Sequence, residues 1–142
     1  MLLRVLIVED TKERQEILTS LYRNHAWILV NTAPRAITLL QAYEFDIVSL
    51  DYNLAGELNG NAVAEALSQS HNRNARIIVH SMNPAGAAKM REVLPTAIGY
   101  PVSRMVRSNQ VFKTLRSRID LLGAINGKIN LSVCYETFPL LI

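Results

Sequence analysis

Two short apolar runs end in acid: Leu2-Leu3-Arg4-Val5-Leu6-Ile7-Val8 leads into Glu9-Asp10, and Ile47-Val48-Ser49-Leu50 leads into Asp51. Runs of this length and composition read as strands of a parallel sheet buried on both faces. Carboxylates at the ends of such strands meet at one rim, the edge where open α/β sheets bind ligands. A hard cation such as Mg²⁺ takes oxygen ligands and keeps several waters, so a few carboxylates and a carbonyl suffice. Glu9, Asp10, Asp51 and the backbone oxygen of Asn53 are the expected donors. With its charge offset by the cation, Asp51 could attack phosphorus in line and form an aspartyl phosphate, while the cation neutralises charge on the phosphoryl oxygens. The bland alternative is that these carboxylates merely terminate strands, and their combined spacing weighs against it.

The elements that would position this rim follow from periodicity. Residues 11–24 carry Ile17, Leu18, Leu21 and Tyr22 at helical spacing, with Glu13 and Glu16 where the helix dipole favours acid. Trp27-Ile28-Leu29-Val30 reads as a second strand. A second helix then starts at the N-cap candidate Thr32 with Pro34 in its first turn, and carries Ile37, Leu40 and Tyr43 on one stripe. After the Asp51 strand, residues 53–59 with Gly56 form a turn-rich loop over the rim. Residues 61–70 carry Val63, Ala66 and Leu67 on a third helix, and residues 75–80 form the fourth strand. Pro84 opens a fourth helix bearing Ala87, Met90 and Leu94. A fifth strand is expected at residues 98–105 despite Pro101. Ser108 then caps a last helix with Val111, Leu115, Ile119 and Leu122 inward, ended by Gly123.

Five βα units imply a parallel sheet with right-handed crossovers and helices on both faces. The flavodoxin-like order 2-1-3-4-5 places strands one and three side by side, which brings Glu9, Asp10 and Asp51 together. Residues 1–123 are read as one domain and residues 124–142 as a C-terminal extension. In that extension Asn126-Gly127 marks a turn, and Ile129, Leu131, Val133 and Tyr135 alternate as a strand would. Such a strand could pair with a sheet edge or with a second copy in a homodimer.

The 142-residue chain, 49% apolar, suits one globular domain. No segment approaches the roughly 18 consecutive apolar residues of a membrane span, and the N-terminal run is broken by charge, so the expected address is the cytoplasm. A single cysteine, Cys134, excludes an intramolecular disulfide and a cysteine-built zinc site, and reads as a small buried thiol. The formal charge of +3 is uneven: residues 71–120 are rich in lysine and arginine with only Glu92 and Asp120 against them. This bias suits an anionic partner such as nucleic acid, an acidic protein or a phosphate ligand, although no nucleic-acid motif accompanies it and a solvated face is the plainer reading.

With strands and rim placed, residues 1–123 resemble the receiver domain of two-component response regulators, the CheY-like form of this fold. Leu6-Ile7-Val8-Glu9-Asp10 is similar to that family's strand-one acidic pair. Phe45-Asp46-Ile47-Val48-Ser49-Leu50-Asp51 is similar to the strand whose aspartate accepts phosphate. Leu54 and Gly60 approximate the following loop, and Ser81 stands where the family has its switch serine or threonine. The resemblance implies a stand-alone receiver in phosphorelay signal transduction, with Asp51 phosphorylated by a partner histidine kinase and a changed surface read by a downstream protein. Two departures matter. The strand-five lysine of that family is expected near Ser103, where none exists, which leaves Arg104 or Arg107 to bind phosphate. The loop after Asp51 is also about one residue long, with Ala55 where proline is common.

A further stretch, His80-Ser81-Met82-Asn83-Pro84-Ala85-Gly86 with Met90 beyond it, resembles an offshoot of the receiver fold predicted to process cyclic phosphates. It implies an alternative function, an enzyme acting on cyclic or terminal phosphates, including those of RNA. Asp10 and Asp51 would hold the metal and His80 would protonate the leaving oxygen. Ser81 and Asn83 would hold phosphoryl oxygens, aided by N–H groups at the helix start. Tyr52 and Asn53 stand where that offshoot is expected to have a histidine and a second aspartate. Blander readings sit beside these. If Ser81 faces the site, His80 packs beneath a helix; His25 and His71 are surface residues, Trp27 is core, and Tyr100 is either a swinging aromatic or a half-buried strand tyrosine. A third function, a pseudo-receiver that binds without chemistry, also fits.

Overall fold

The computed structural model describes residues 2–126. Five parallel strands, β1 (Arg4–Val8), β2 (Ala26–Val30), β3 (Ile47–Leu50), β4 (Arg76–Val79) and β5 (Ile98–Gly99), pair in the order β2-β1-β3-β4-β5. The helices are α1 (Lys12–Leu21), α2 (Ala33–Ala42), α3 (Gly60–Ser68), α4 (Pro84–Val93), the one-turn α5 (Val102–Met105) and α6 (Asn109–Asn126). The flavodoxin-like order expected from alternating elements is the order observed.

Alternation along each strand divides the interior in two. Leu6, Val8, Val48, Leu50, Ile77 and Val79 pack under α2, α3 and α4, whereas Val5, Ile7, Ile47 and Ile78 pack under α1, α5 and α6. The central strands β1, β3 and β4 are covered on both faces, which explains their unbroken apolar runs. Local chemistry sets the helix starts. The Asn59 side chain accepts from Asn61 N–H at 2.9 Å to cap α3, Asn83 accepts from Gly86 N–H at 3.0 Å to cap α4, and Ser108 accepts from Val111 N–H at 3.1 Å to cap α6. Thr32 occupies the N-cap of α2 without a side-chain capping bond.

Several expectations are corrected. The fifth strand does not extend to residue 105: Pro101, which has no N–H for the ladder, sits at φ −63° and starts α5 instead. Gly123 does not end α6, which runs on to Asn126. A glycine stops a helix by turning left-handed, and among the described residues only Gly56 has a positive φ, 88°. Trp27 is 41% exposed because β2 is an edge strand, and Tyr43, past the last turn of α2, is 58% exposed. His25 is not a surface residue: its side chain is only 4% exposed, accepts from Leu3 N–H through Nδ1 at 3.1 Å and meets Asp120 through Nε2 at 2.8 Å. The expected tail strand and Cys134 lie outside the described residues. Among those described, no helix is long and apolar enough to cross a membrane.

Candidate functional site

Sheet register builds the site. Val8, Leu50, Val79 and Gly99 are neighbours across β1, β3, β4 and β5. Backbone bonds carry the ladder one residue further: Asp51 N–H donates to Val8 O at 3.1 Å, His80 N–H to Leu50 O at 3.1 Å and Tyr100 N–H to Val79 O at 2.9 Å. Glu9, Asp51, His80 and Tyr100 therefore form the next row at the carboxyl end of the sheet. Because side chains alternate, this row projects to the face of Ile7, Ser49 and Ile78, the side of α1 and α6. The strand-five residue in line with Asp51 is thus Tyr100, not the Ser103 position expected for the family lysine. Ser103 lies in α5, beyond the strand.

Within the row, Glu9 and His80 are fully buried and Asp51 is 2% exposed. Glu9 Oε1 accepts from His80 Nε2 at 3.0 Å and from Arg14 Nε at 3.0 Å, and Glu9 Oε2 accepts from Thr11 N–H at 2.9 Å. Burial alone pushes the Glu9 carboxyl up, but the hydrogen bonds from His80, Arg14 and Thr11 outweigh it and bring the group down to about 2. Ionised Glu9 accepts the His80 Nε2 proton. In the neutral ring His80 Nδ1 is then left to accept from the Ser49 hydroxyl, 2.7 Å away. His80 does not lie under a helix away from the rim; it belongs to the row, and Ser81 reaches the site because β4 has ended at Val79.

Asp51 is held differently. Its Oδ1 accepts from Tyr52 N–H at 2.8 Å, whereas Oδ2 is buried with no hydrogen-bond partner, the Arg14 guanidinium standing 3.5 Å off. Burial and then the charge of Glu9 raise the Asp51 pKa, with His80, Ser81 and the Tyr52 N–H pulling the other way. Ser81 Oγ accepts from Asn83 N–H at 3.1 Å, so Asn83, through that turn and its cap on α4, fixes the approach to Ser81. Gly86 gives the Tyr52 ring its seat: a Cβ there would drive into the ring. Tyr52 Oη in turn accepts from Asn59 Nδ2 at 3.1 Å, closing the loop after Asp51.

The other expected residues are spread around this core. Asp10 is half-buried, with Thr11 Oγ1 at 3.4 Å from its Oδ1, and Asn53 is exposed in the loop. Arg104 lies over the Tyr100 ring, 4.7 Å from its centroid. Sequence reasoning missed Arg14 and Ser49. Each carries a signal: Arg14 is a cation in the first turn of a helix, where the dipole disfavours it, and Ser49 is a hydroxyl inside an otherwise apolar strand.

Glu9, Asp51 and His80 each offer a ligand atom within 4.8 Å of the others. Glu9 and His80 are already bonded to each other, so the unpartnered Oδ2 of Asp51 is the atom most open to a cation. Carboxylate oxygens of this kind are a donor chemistry that fits a hard divalent ion.

Residues 4–96, well over half the chain, match the family model described as the cyclic-phosphate processing receiver domain. No curated protein sequence matches the chain. Solved structures match in fold. The phosphorylated cyanobacterial phytochrome response regulator RcpA has 16% identity, covering 80% of this chain and 86% of that one with a TM-score of 0.63. The response regulator TrrA of Thermotoga maritima, in complex with Mg²⁺-BeF, has 17% identity, 79% and 98% coverage and a TM-score of 0.62. The receiver domain of a Pseudomonas aeruginosa sensor histidine kinase, with magnesium in its active-site cleft, has 18% identity, 80% and 97% coverage and a TM-score of 0.58.

Proposed function

This chain belongs to the cyclic-phosphate processing receiver domain family, and from that premise we propose that its Asp51 rim binds a divalent cation together with a cyclic phosphate and opens the ring by hydrolysis. The observation that carries this reading is the buried chain Ser49–His80–Glu9–Arg14 against the unpartnered Oδ2 of Asp51. Accepting a phosphoryl group requires only the aspartate, a cation and a donor. A histidine buried in the same row and bonded to the strand-one glutamate is additional machinery.

The Asp51 and Asp10 carboxylates would hold the cation, Mg²⁺ in keeping with an oxygen donor set, and the cation would offset charge on the phosphate. Arg14, 28% exposed, presents a guanidinium to the phosphate oxygens and stands in for the absent strand-five lysine. Burial and the charge of Glu9 raise the Asp51 pKa, which favours its taking up a proton. The attacking water oxygen bonds to phosphorus as the ring P–O bond breaks, and the Asp51 carboxylate takes the water's proton and passes it to the departing oxygen, which leaves as a hydroxyl. Ser81 donates to a non-bridging oxygen. His80, enclosed on all sides, acts as a positioning residue: it keeps Glu9 ionised and in place to orient Arg14.

The test is product release from a 2′,3′-cyclic nucleotide in Mg²⁺ or Mn²⁺ beside Asp51→Asn. Turnover lost in the variant supports the reading, and turnover equal in both would overturn it. A second reading, phosphorelay signalling with a histidine kinase or downstream protein as partner, is favoured by that same Oδ2, which accepts no hydrogen bond and which a phosphoacceptor also needs. Incubation with acetyl phosphate and Mg²⁺ separates the two. An intact-mass gain of one phosphoryl group, absent in Asp51→Asn, without cyclic-nucleotide turnover, would make signalling the function. The one-domain organisation with an extension after residue 123, and pairing of two copies through that extension, are part of this proposal.

A further inference from the structure

The two edges of the sheet are built differently. β5, at one edge, is two residues long and runs into Pro101 and α5, and a short strand stopped by proline is a poor template for further pairing. β2, at the other edge, is the run Ala26-Trp27-Ile28-Leu29-Val30, with no charge, no proline and an unbroken register against β1. Among the described residues, no strand pairs with its outer side. Trp27 and Ile28 point to opposite faces, and each is 41% exposed. Trp27 lies in register with Val5 on the side of α1, and Ile28 with Leu6 on the side of α2. The strand therefore shows apolar surface on both faces, where an edge is ordinarily blunted by charge, proline or a bulge.

Backbone parity decides what this edge can accept. Ala26 N–H donates to Leu3 O and Glu9 N–H to Val30 O, both at 3.0 Å. Residues 26, 28 and 30 thus direct their backbone groups at β1, and Trp27 and Leu29 direct theirs outward. The outward groups stand evenly about Ile28. An antiparallel β2 from a second copy, centred on its own Ile28, sets Trp27 against Leu29 of that copy and Leu29 against its Trp27. This closes four N–H···O bonds, with the two Ile28 side chains facing each other between them. The strand carries no charge, so it meets no like charge when it faces its own image. We propose that the β2 edge is a self-recognition surface, through which two copies of the chain join their sheets about a twofold axis at Ile28. A five-residue strand spans about 17 Å, so the contact is smaller than the roughly 800 Å² per partner of a standard interface. That size suits a dimer with a micromolar dissociation constant rather than an obligate one.

The experiment is sedimentation velocity on the full chain from about 1 to 500 μM, beside Ile28→Lys, which sets two like charges face to face across the axis. Position 28 is exposed, so the fold is expected to persist, and circular dichroism checks it. The wild type is expected to dimerise as concentration rises, and Ile28→Lys to weaken the dimer by about tenfold or more. A second variant reads the axis directly. Cα atoms of a non-hydrogen-bonded antiparallel pair lie about 4.5 Å apart, within disulfide reach. With Cys134→Ser removing the native thiol, Ile28→Cys is expected to form an intermolecular disulfide under mild oxidation about tenfold or more faster than Leu121→Cys, an exposed position on α6. A monomer throughout the range would overturn the proposal. So would a dimer as tight in Ile28→Lys as in the wild type, which would assign pairing to another surface such as residues 124–142. Disulfide formation by Ile28→Cys no faster than by Leu121→Cys would overturn it as well. These measurements use neither metal nor turnover, so their outcome is independent of the hydrolytic reading of the rim.

Discussion

His80 Nε2 stands 3.0 Å from Glu9 Oε1, and both side chains are closed off from solvent. A buried carboxylate tolerates such a position only while its oxygens are bonded. Removing one partner leaves the other exposed to the full cost of desolvation. His80→Ala is therefore expected to destabilise the fold by about 3 kcal/mol, read as a lower urea midpoint at neutral pH. A loss under about 1 kcal/mol would mean that Arg14 and Thr11 alone satisfy Glu9.

Acid should act on the two central carboxylates in opposite senses. Glu9 has a folded-state pKa of about 2 against an ordinary value of 4.5, so its stabilisation is complete above about 4.5 and is lost as pH falls toward 2. At about 1.4 kcal/mol per unit this amounts to roughly 3 kcal/mol. Unfolding free energy measured from pH 6 down to pH 2 should fall through that window, and Glu9→Gln should flatten this part of the curve.

Asp51 is raised instead, through burial and the Glu9 charge, so its ionised form burdens the folded state above the folded-state pKa and costs nothing below the unfolded one. Asp51→Asn keeps an oxygen for the Tyr52 N–H and removes that burden. The variant is expected to melt higher than wild type at pH 7, with the difference vanishing as pH drops below about 4, near the ordinary carboxylate value. A lower melting point at pH 7 would show that the Arg14 contact outweighs desolvation.

The loop over the rim rests on the fit of Tyr52 against Gly86. Gly86→Ala forces the ring aside and is expected to cost about 2 kcal/mol, in the range typical of overpacking. Gly86→Ala/Tyr52→Ser should recover part of that loss, since the serine leaves room for the methyl group. Chemical denaturation of the four proteins of this cycle measures the coupling, and an additive result would deny the contact its role.

The sheet and the acidic rim were legible in the sequence because central parallel strands leave continuous apolar runs, and Glu9 and Asp51 end two of them. The side on which His80 lies was not, since alternation forbids His80 and Ser81 from sharing a face only while the strand continues, and β4 stops at Val79. The lysine position was set at Ser103 rather than Tyr100 for a related reason: Pro101 ends β5 early, so counting forward from Ile98 overshoots. Trp27 looked like core because its strand is apolar, yet only the sheet order reveals that β2 is an edge. Arg14 was hidden in a charged first turn that resembles a solvated face.

Arg14 offers the sharpest separation between a structural and a functional role. Its Nε donates to Glu9 Oε1 at 3.0 Å, its Nη2 donates to Thr11 Oγ1 at 2.7 Å and that same Nη2 faces Asp51 Oδ2 at 3.5 Å. A cation so placed repels a divalent metal and attracts a phosphate. Replacing it with methionine keeps the aliphatic length and removes the charge, so the two affinities should move in opposite directions. Mn²⁺ binding by Arg14→Met is expected to tighten by about threefold or more, as two carboxylates lose their competitor, while inorganic phosphate binding in the presence of Mn²⁺ weakens by about tenfold. Calorimetry with each probe measures both. Loss of both affinities together would show that Arg14 only holds the rim in shape, and Arg14→Lys, which retains charge without the fork, should then rescue neither.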